Sequence, residues 1–308
     1  MNANRNLTKA KSAKNDEFFT QLSDIEKELK YYKNHFKGKI VFCNCDDPEY
    51  SNFWKYFELN FEHLELKKLI ATHFHTDRKT YKLEIIGDIN SDGKINKADI
   101  IKTELNENGD FRSPECIELL KEADIIVTNP PFSLFREYIA QLMEYKKKFL
   151  VIGNMNAITY KEVFKYIKDN KLWLGAGKND GRNIWYEVPK TYPIFHKEEN
   201  NKFYAFVAGT VWFTNLTHSK RNEELILYKR YNPSDYPEYD NYDAINIDKV
   251  KDIPVDYDGV MGVPISFLNK HNPEQFEIIR FRKGNDEKDL SVNGKCPYFR
   301  ILIKHREL

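Results

Sequence analysis

Apolar residues recur along the first half of the chain in two rhythms. Leu22, Ile25, Leu29, Tyr32 and Phe36 fall three or four positions apart, which gathers them on one face of a helix predicted over 23–36. Ser23 with Glu26 has the spacing of a capping box, and Gly38 supplies a stop. Short, continuous apolar runs then alternate with amphipathic stretches. Strands are predicted at 39–43, 68–74, 81–86, 124–128 and 148–152. Helices are predicted over 51–61, from Ser113-Pro114-Glu115 onward, over 133–145, and after Thr159, where Glu162 completes a second capping spacing. Strands that are apolar on both faces and alternate with helices belong in a parallel sheet covered on two sides, so the fold class is α/β.

The rhythm changes near Gly175. Glycine and loop residues fill 175–183, strands without intervening helices are predicted over 203–214 and 225–229, and proline and aspartate recur from 233 to 264. Three parts are expected: a basic flexible arm over 1–14, an α/β domain over 15–174, and a smaller, loop- and strand-rich region over 175–308.

Composition adds bounds. The 308 residues suffice for a large core, and 41% hydrophobic with 31% charged residues is an ordinary globular balance. No run approaches the ~18 apolar residues that span a bilayer, and the polar, basic N-terminus does not read as a secretory signal; a cytoplasmic protein without membrane contact is expected. Cys43, Cys45, Cys116 and Cys296 show no metal-ligand spacing and read as reduced, mostly packed thiols. Net charge is only +1, but residues 1–14 carry Arg5, Lys9, Lys11 and Lys14 without an acid, which suits an arm lying along phosphates.

Candidate chemistry centres on Asn129-Pro130-Pro131-Phe132, directly after the strand at 124–128 and before a helix. Open α/β sheets bind ligands at such strand-to-helix turns. An exocyclic amine is a poor nucleophile because its lone pair is delocalised into the ring. Two acceptors aimed at its N–H bonds draw the nitrogen toward tetrahedral geometry and stabilise the developing positive charge. The Asn129 side-chain oxygen and the Pro130 carbonyl can be those acceptors. Pro130 and Pro131 stiffen the turn, and Phe132 offers a ring face to an extruded base. Transfer of a sulfonium methyl group is then mainly in-line positioning, with no need of a metal or a strong base. These residues alone do not separate adenine from other planar amine or amide substrates.

The chain resembles the gamma-type adenine-N6 DNA methyltransferases, and in detail the EcoRI methylase family. The similar stretches are Asn15-Asp16-Glu17-Phe18-Phe19-Thr20-Gln21, Val41-Phe42-Cys43-Asn44-Cys45-Asp46-Asp47-Pro48, Gly109-Asp110-Phe111-Arg112-Ser113, the run from Val127 through Asn129-Pro130-Pro131-Phe132 to Glu137, and Gly262-Val263-Pro264-Ile265-Ser266-Phe267. The resemblance implies a Rossmann-like, S-adenosylmethionine-dependent catalytic domain over 15–174 and a target-recognition region over 175–308. It implies double-stranded DNA with a GAATTC-like target as substrate, and a cognate restriction endonuclease as a candidate partner. A monomer is expected.

Matching positions assign the cofactor site. Asp110 would accept from the cofactor's adenine amine and Phe111 would cover a ring face. Asn44, Asp46, Asp47 and Pro48 occupy the first cofactor loop, where carboxylates can meet the methionine ammonium. Phe18, Phe19 and Thr20 match a segment that closes over the methionine end. The loop departs from most relatives, since no glycine stands between Val41 and Phe61. A ribose-binding acid after the second strand is not evident; Asp77 is the nearest candidate.

For target recognition, Arg182, Asn183, Lys220, Arg221 and Asn222 have side chains able to read base edges or grip phosphates. The run from Asp88 to Asp99 fits a calcium-loop pattern, with oxygen-bearing Asp88, Asn90, Asp92, Asn96 and Asp99 at positions 1, 3, 5, 9 and 12 and Gly93 sixth. Its twelfth residue is Asp rather than Glu and no second copy follows, so it is read as a surface turn and no metal is assigned. Two other readings stay open on the residues: a methyltransferase of this fold acting on RNA or a protein glutamine, and a non-catalytic DNA-binding module.

Overall fold

The computed structural model describes residues 19–77, 79–177, 184–188, 190, 196–282, 290–297 and 299–306. In chain order the strands are β1 (Phe19–Thr20), β2 (Ile40–Cys43), β3 (Lys68–Thr72), β4 (Tyr81–Ile85), β5 (Ile101–Glu104), β6 (Ile125–Thr128), β7 (Lys148–Asn154), β8 (Trp173–Leu174) and β9 (Trp185–Val188). There follow β10 (Lys197–Glu199), β11 (Lys202–Phe206), β12 (Thr210–Thr214), β13 (Glu238–Tyr239), β14 (Tyr242–Asn246), β15 (Met261–Pro264), β16 (Phe276–Arg282) and β17 (Arg300–His305). The helices are α1 (Leu22–Leu29), α2 (Lys33–Phe36), α3 (Asn52–Leu59), α4 (Pro114–Glu122), α5 (Phe135–Glu144) and α6 (Lys161–Lys168).

Two compact units form, one from Met1–Ala157 with Gly177–Leu216, the other from Ile158–Ala176 with Thr217–Leu308. By compactness the chain therefore does not divide at 174/175. The reason lies in α1, whose buried carboxylates reach forward in sequence. Glu28 Oε2 accepts from Gly177 N at 2.7 Å and Asp24 Oδ2 accepts from Trp185 N at 3.2 Å, tying the segment after Gly177 to the first unit.

In the first unit seven strands run in the order β5-β4-β3-β2-β6-β7-β12. The inner four, β3-β2-β6-β7, are parallel. The flanks depart from the expected all-parallel sheet: β4 and β5 on one side and β12 on the other are antiparallel. The stretch predicted as strand over 203–214 is two strands, and the second, β12, is wholly buried against β7. A small antiparallel sheet, β1-β9-β11-β10, belongs to the same unit.

Local signals account for some of the helix ends. Ser51 caps α3 by accepting from Phe53 N at 3.2 Å, and Ser113 caps α4 by accepting from Cys116 N at 3.3 Å, with Pro114 at the first helical position. Gly38 takes φ +67 and stops the first helical stretch. Two capping expectations fail: Gln21, not Ser23, precedes α1, and Tyr160, not Thr159, precedes α6, neither with a side-chain cap. The helix predicted over 23–36 is also broken after Leu29, where the buried Tyr32 turns its hydroxyl onto Glu28 Oε1 at 2.9 Å.

The second unit carries the sheet β13-β14-β15-β17-β16, in which only β14 and β15 are parallel. Helix α6 sets Phe164 against Phe281 of β16 at 5.3 Å. The stretch 225–229 is not a strand. The Gln275 side chain donates to Leu225 O and accepts from Leu225 N, both at 2.9 Å, taking the main-chain bonds a neighbouring strand would take; a single bridge joins Lys229 to Pro254. No helix among the described residues is long and apolar enough to cross a membrane.

Candidate active site

Strand order reverses between β2 and β6, so the loops leaving these two strands open side by side at the switch point of the sheet. Val41 pairs with Ile125 and Phe42 with Ile126, which brings Asn44 level with Thr128. The Thr128 hydroxyl donates to the Asn44 carbonyl, and the Tyr138 hydroxyl of α5 donates to Asn44 Oδ1. One buried residue thus joins the first loop, the end of β6 and α5.

Asn129 and Pro130 are buried, whereas Pro131 and Phe132 are half-buried. The Pro131 carbonyl accepts from Leu134 N at 3.0 Å, closing a single 3-10 turn over Phe132–Leu134 that feeds α5. Beneath the turn, Phe135 packs on Phe213 of β12 at 5.0 Å and against Gly153 of β7, where any Cβ would overlap its ring. The turn is therefore supported by the sheet rather than by its own chain alone. Both prolines fix φ and lack an N–H, so its carbonyl directions are set before anything binds.

The loop after β2 solves its lack of glycine with Cys45, which takes the left-handed conformation at φ +72. Burial, followed by the neighbouring Asp46 carboxylate, pushes the Cys45 thiol well above its ordinary range. Asp46 is buried and accepts from the Ser51 hydroxyl at 3.1 Å. Asp47 accepts from Glu49 N at 3.0 Å and from the Tyr81 hydroxyl at 2.9 Å, and lies 3.4 Å from His73 Nε2. Pro48 borders a cavity of about 680 Å³ on α3, shared with Trp54, Lys55, Leu83 and Lys202. Thr20 adjoins α3 through its carbonyl, which accepts from Asn52 Nδ2 at 2.8 Å. Its own hydroxyl is enclosed and has no hydrogen-bond partner among the described residues.

Asp110 and Phe111 follow Gly109, whose φ is +76 and whose missing Cβ lets the chain lie against the His73 carbonyl. Arg112 holds the Asp110 carboxylate in a fork, Nε to Oδ1 at 2.8 Å and Nη2 to Oδ2 at 2.6 Å, while its own N–H donates to Oδ1 at 2.9 Å. This pairing holds the Asp110 carboxyl below the usual carboxylate range. Phe111 is buried edge-on to Tyr138 at 5.0 Å, and its carbonyl accepts from Gln141 Nε2 at 3.2 Å.

The structure brings Asn44, Asp46, Asp47, Asp110 and Phe111 around the ends of β2 and β3, with Asn44 bonded to Thr128, the residue before Asn129; Thr20 is placed by its bond to Asn52 of α3. Asn44 accepts from Tyr138 through its side-chain oxygen and from Thr128 through its carbonyl. Asp77 lies in an exposed turn with its carboxylate on the Thr76 hydroxyl at 2.8 Å. Phe18, Arg182 and Asn183 lie outside the described residues, as does the arm over 1–14; Phe19 is described by its pairing with Glu187. Lys220 and Asn222 are exposed, and Asn222 Nδ2 donates to Glu274 at 3.2 Å. Arg221 departs from the expected DNA contact: it is buried over Trp173 at 5.1 Å, donating to the His271 carbonyl at 2.6 Å and to Asn170 Oδ1.

In the run from Asp88 to Asp99 the carboxylates turn inward on the main chain. Asp88 accepts from Asp92 N and Gly93 N, and Asp99 accepts from Ile89 N and Asn96 N. Arg112, Tyr138, Thr128 and His73 are not marked as site residues by the sequence pattern. Tyr138 falls on the apolar stripe of α5 and reads as packing. The Asp110-Phe111-Arg112 spacing was the one available sign of the fork.

A family model for the adenine-specific methyltransferase EcoRI matches residues 6–306. The chain is 53% identical to the Type II methyltransferase M.EcoRI of Escherichia coli, covering 99% of this chain and 98% of that protein. It is 42% identical to the Type II methyltransferase M.MgeORF184P of Mycoplasma genitalium, covering 98% and 99%. With the Type II methyltransferase M.MpnI of Mycoplasma pneumoniae it shares 39% identity over 98% of each chain. No solved structure matches. A match across nearly the whole length joins the Asn129 turn, the Asp110 fork and the second unit in one inherited design, and the chain belongs to the family of adenine-specific EcoRI methyltransferases.

Proposed function

We propose that the chain transfers the methyl group of S-adenosylmethionine to the N6 amine of an adenine turned out of duplex DNA, at a GAATTC-like site. The observation that carries this reading is the Asn129-Pro130 turn, seated at the sheet's switch point with its carbonyl directions fixed. Asn129 Oδ1 and the Pro130 carbonyl accept from the two amine hydrogens and keep the nitrogen lone pair out of the ring. Phe132 stacks on the base. As the amine gains positive charge, two neutral acceptors stabilise it; once the methyl has moved and S-adenosylhomocysteine has left, the surplus N–H proton passes to water. The cofactor supplies an electrophilic methyl on a sulfonium.

Two features support the cofactor. A carboxylate has about four acceptor positions; the donors on Asp110 are the Arg112 N–H, Nε and Nη2, leaving a direction open for an adenine amine beside Phe111. The enclosed Thr20 hydroxyl and the buried Asp46 offer polar atoms at the methionine end, with Phe18 and Phe19 alongside in sequence. The second unit reads the target, with Lys220 and Asn222 as exposed contacts, together with Arg182, Asn183 and the arm over 1–14. The enzyme works in the cytoplasm as a monomer, paired with a restriction endonuclease or alone.

The test is transfer of labelled methyl from S-adenosylmethionine to duplex oligonucleotides with and without GAATTC, followed by nucleoside analysis. N6-methyladenine confined to the GAATTC duplex is the expected result. Label in RNA or protein but in no DNA would overturn the substrate.

A further inference from the structure

His73 follows β3 at the point where a carboxylate for the cofactor's sugar was expected, and it touches both flanks of the proposed cofactor site. Its carbonyl lies against Gly109, so closely that a Cβ there would overlap it, and the next turn is tied across by His75 N donating to Asn108 O at 2.9 Å. Its ring lies on the other flank, with Nε2 3.4 Å from Asp47 Oδ2 in the loop after β2. The ring is further set by Tyr81 of β4, at 5.2 Å between centroids, and Tyr81 donates its hydroxyl to the other oxygen of Asp47 at 2.9 Å. Burial first, then the bond to Asp47, raises the Tyr81 phenol, so it stays a donor across the working pH range. His73 and Asp47 are each mostly buried, with side chains 14% and 19% exposed.

We infer that His73 receives a ribose hydroxyl of the methyl donor, and that Asp47 is its positioning residue rather than a ligand of the methionine ammonium. The inference rests on the S-adenosylmethionine reading above. A nucleoside with its base at Asp110 and Phe111 and its amino-acid tail toward Asp46 and Thr20 has its sugar between the two flanks that His73 joins. With Nε2 turned to Asp47, Nδ1 is the ring nitrogen the pairing does not use. It accepts from a hydroxyl when the ring is neutral and donates to one when the ring is protonated. Asp77, the nearest carboxylate after β3 in sequence, is exposed and engaged with Thr76.

Binding of S-adenosylhomocysteine and its 2′-deoxy and 3′-deoxy ribose counterparts to the full chain, followed by calorimetry, tests this without turnover. Wild type is expected to bind one deoxy compound about ten-fold more weakly than the parent, the size of one hydrogen bond. His73→Phe keeps a ring against Tyr81 and removes both nitrogens; it should bind the parent and that deoxy compound within about two-fold of each other. Asp47→Asn, with Tyr81 still able to donate, should shrink the ratio without abolishing parent binding. A full ten-fold ratio persisting in His73→Phe, or no ratio in wild type, overturns the role of His73. Failure of wild type to bind S-adenosylhomocysteine at all would instead overturn the cofactor reading, and this inference with it.

Discussion

Arg112 grips Asp110 through its guanidinium and its own N–H, and the consequence is electrostatic as well as geometric. A carboxylate held below its ordinary range stays ionised, and therefore an acceptor, further into acid. Arg112→Leu removes the fork, lets Asp110 protonate at higher pH, and should move the acid limb of cofactor affinity upward in pH while weakening binding at neutrality. Titration of S-adenosylhomocysteine affinity between pH 4 and about 7 reads this directly; superimposable profiles would refute it. Asn129 belongs to the other half of the reaction. Asn129→Ala should lower kcat by about 10²–10³, the usual effect of removing one preorganised polar group, with cofactor affinity unchanged. Loss of cofactor binding to the same degree would mean that the residue is misassigned.

Elements place these residues, and their legibility in the sequence differs for physical reasons. β2 is a run of four buried apolar residues and β6 a run of three followed by the buried Thr128, a pattern strong enough to read without neighbours. The Asn129 turn was legible because prolines constrain the main chain locally. What depends on partners distant in sequence was not. Gln275 replaces a strand neighbour for Leu225, Tyr138 claims Asn44, and Arg221 lies buried over Trp173; each needs the fold before it can be seen. The antiparallel flanks were missed likewise, since β12 looks like any apolar strand until it pairs with β7. Gly109 marks where two elements meet. Gly109→Ala sets a Cβ into the His73 carbonyl and forces a residue with a side chain to φ +76. It should separate the Asp110 turn from β3, weakening cofactor binding at least ten-fold, by about 1.4 kcal/mol or more, along with a lower Tm. Unchanged affinity would show that the two flanks need not touch.

The molecule as a whole carries an acid-sensitive point away from the proposed chemistry. Burial, then the nearby Arg221 guanidinium, lowers His271 to about 4, and its Nε2 is 3.0 Å from the Phe276 carbonyl. The ring is neutral in the folded second unit, whereas in the unfolded chain it takes a proton near pH 6.5. The unfolded state therefore binds more protons between about pH 6.5 and 4, so stability falls as pH falls through that window and is level above it. His271→Gln should flatten that part of the curve, measured by urea midpoints at pH 7 and 5; an unaltered slope would assign the sensitivity elsewhere. A chain cut at residue 174 is expected to lack a fixed near-ultraviolet dichroism and to aggregate, because it leaves the buried strand β7 without β12.

That missing neighbour also sets a clock on biosynthesis. β7 ends at Asn154 and β12 begins at Thr210, so residues 155–209 must be translated before the sheet can close. At ordinary elongation speeds this is an interval of roughly 3 to 11 seconds. Until then the ledge under Phe135, which steadies the Asn129 turn, is half built. A message truncated anywhere in that interval is expected to yield a polypeptide whose first sheet still lacks its last strand, with the Asn129 turn unsupported from below.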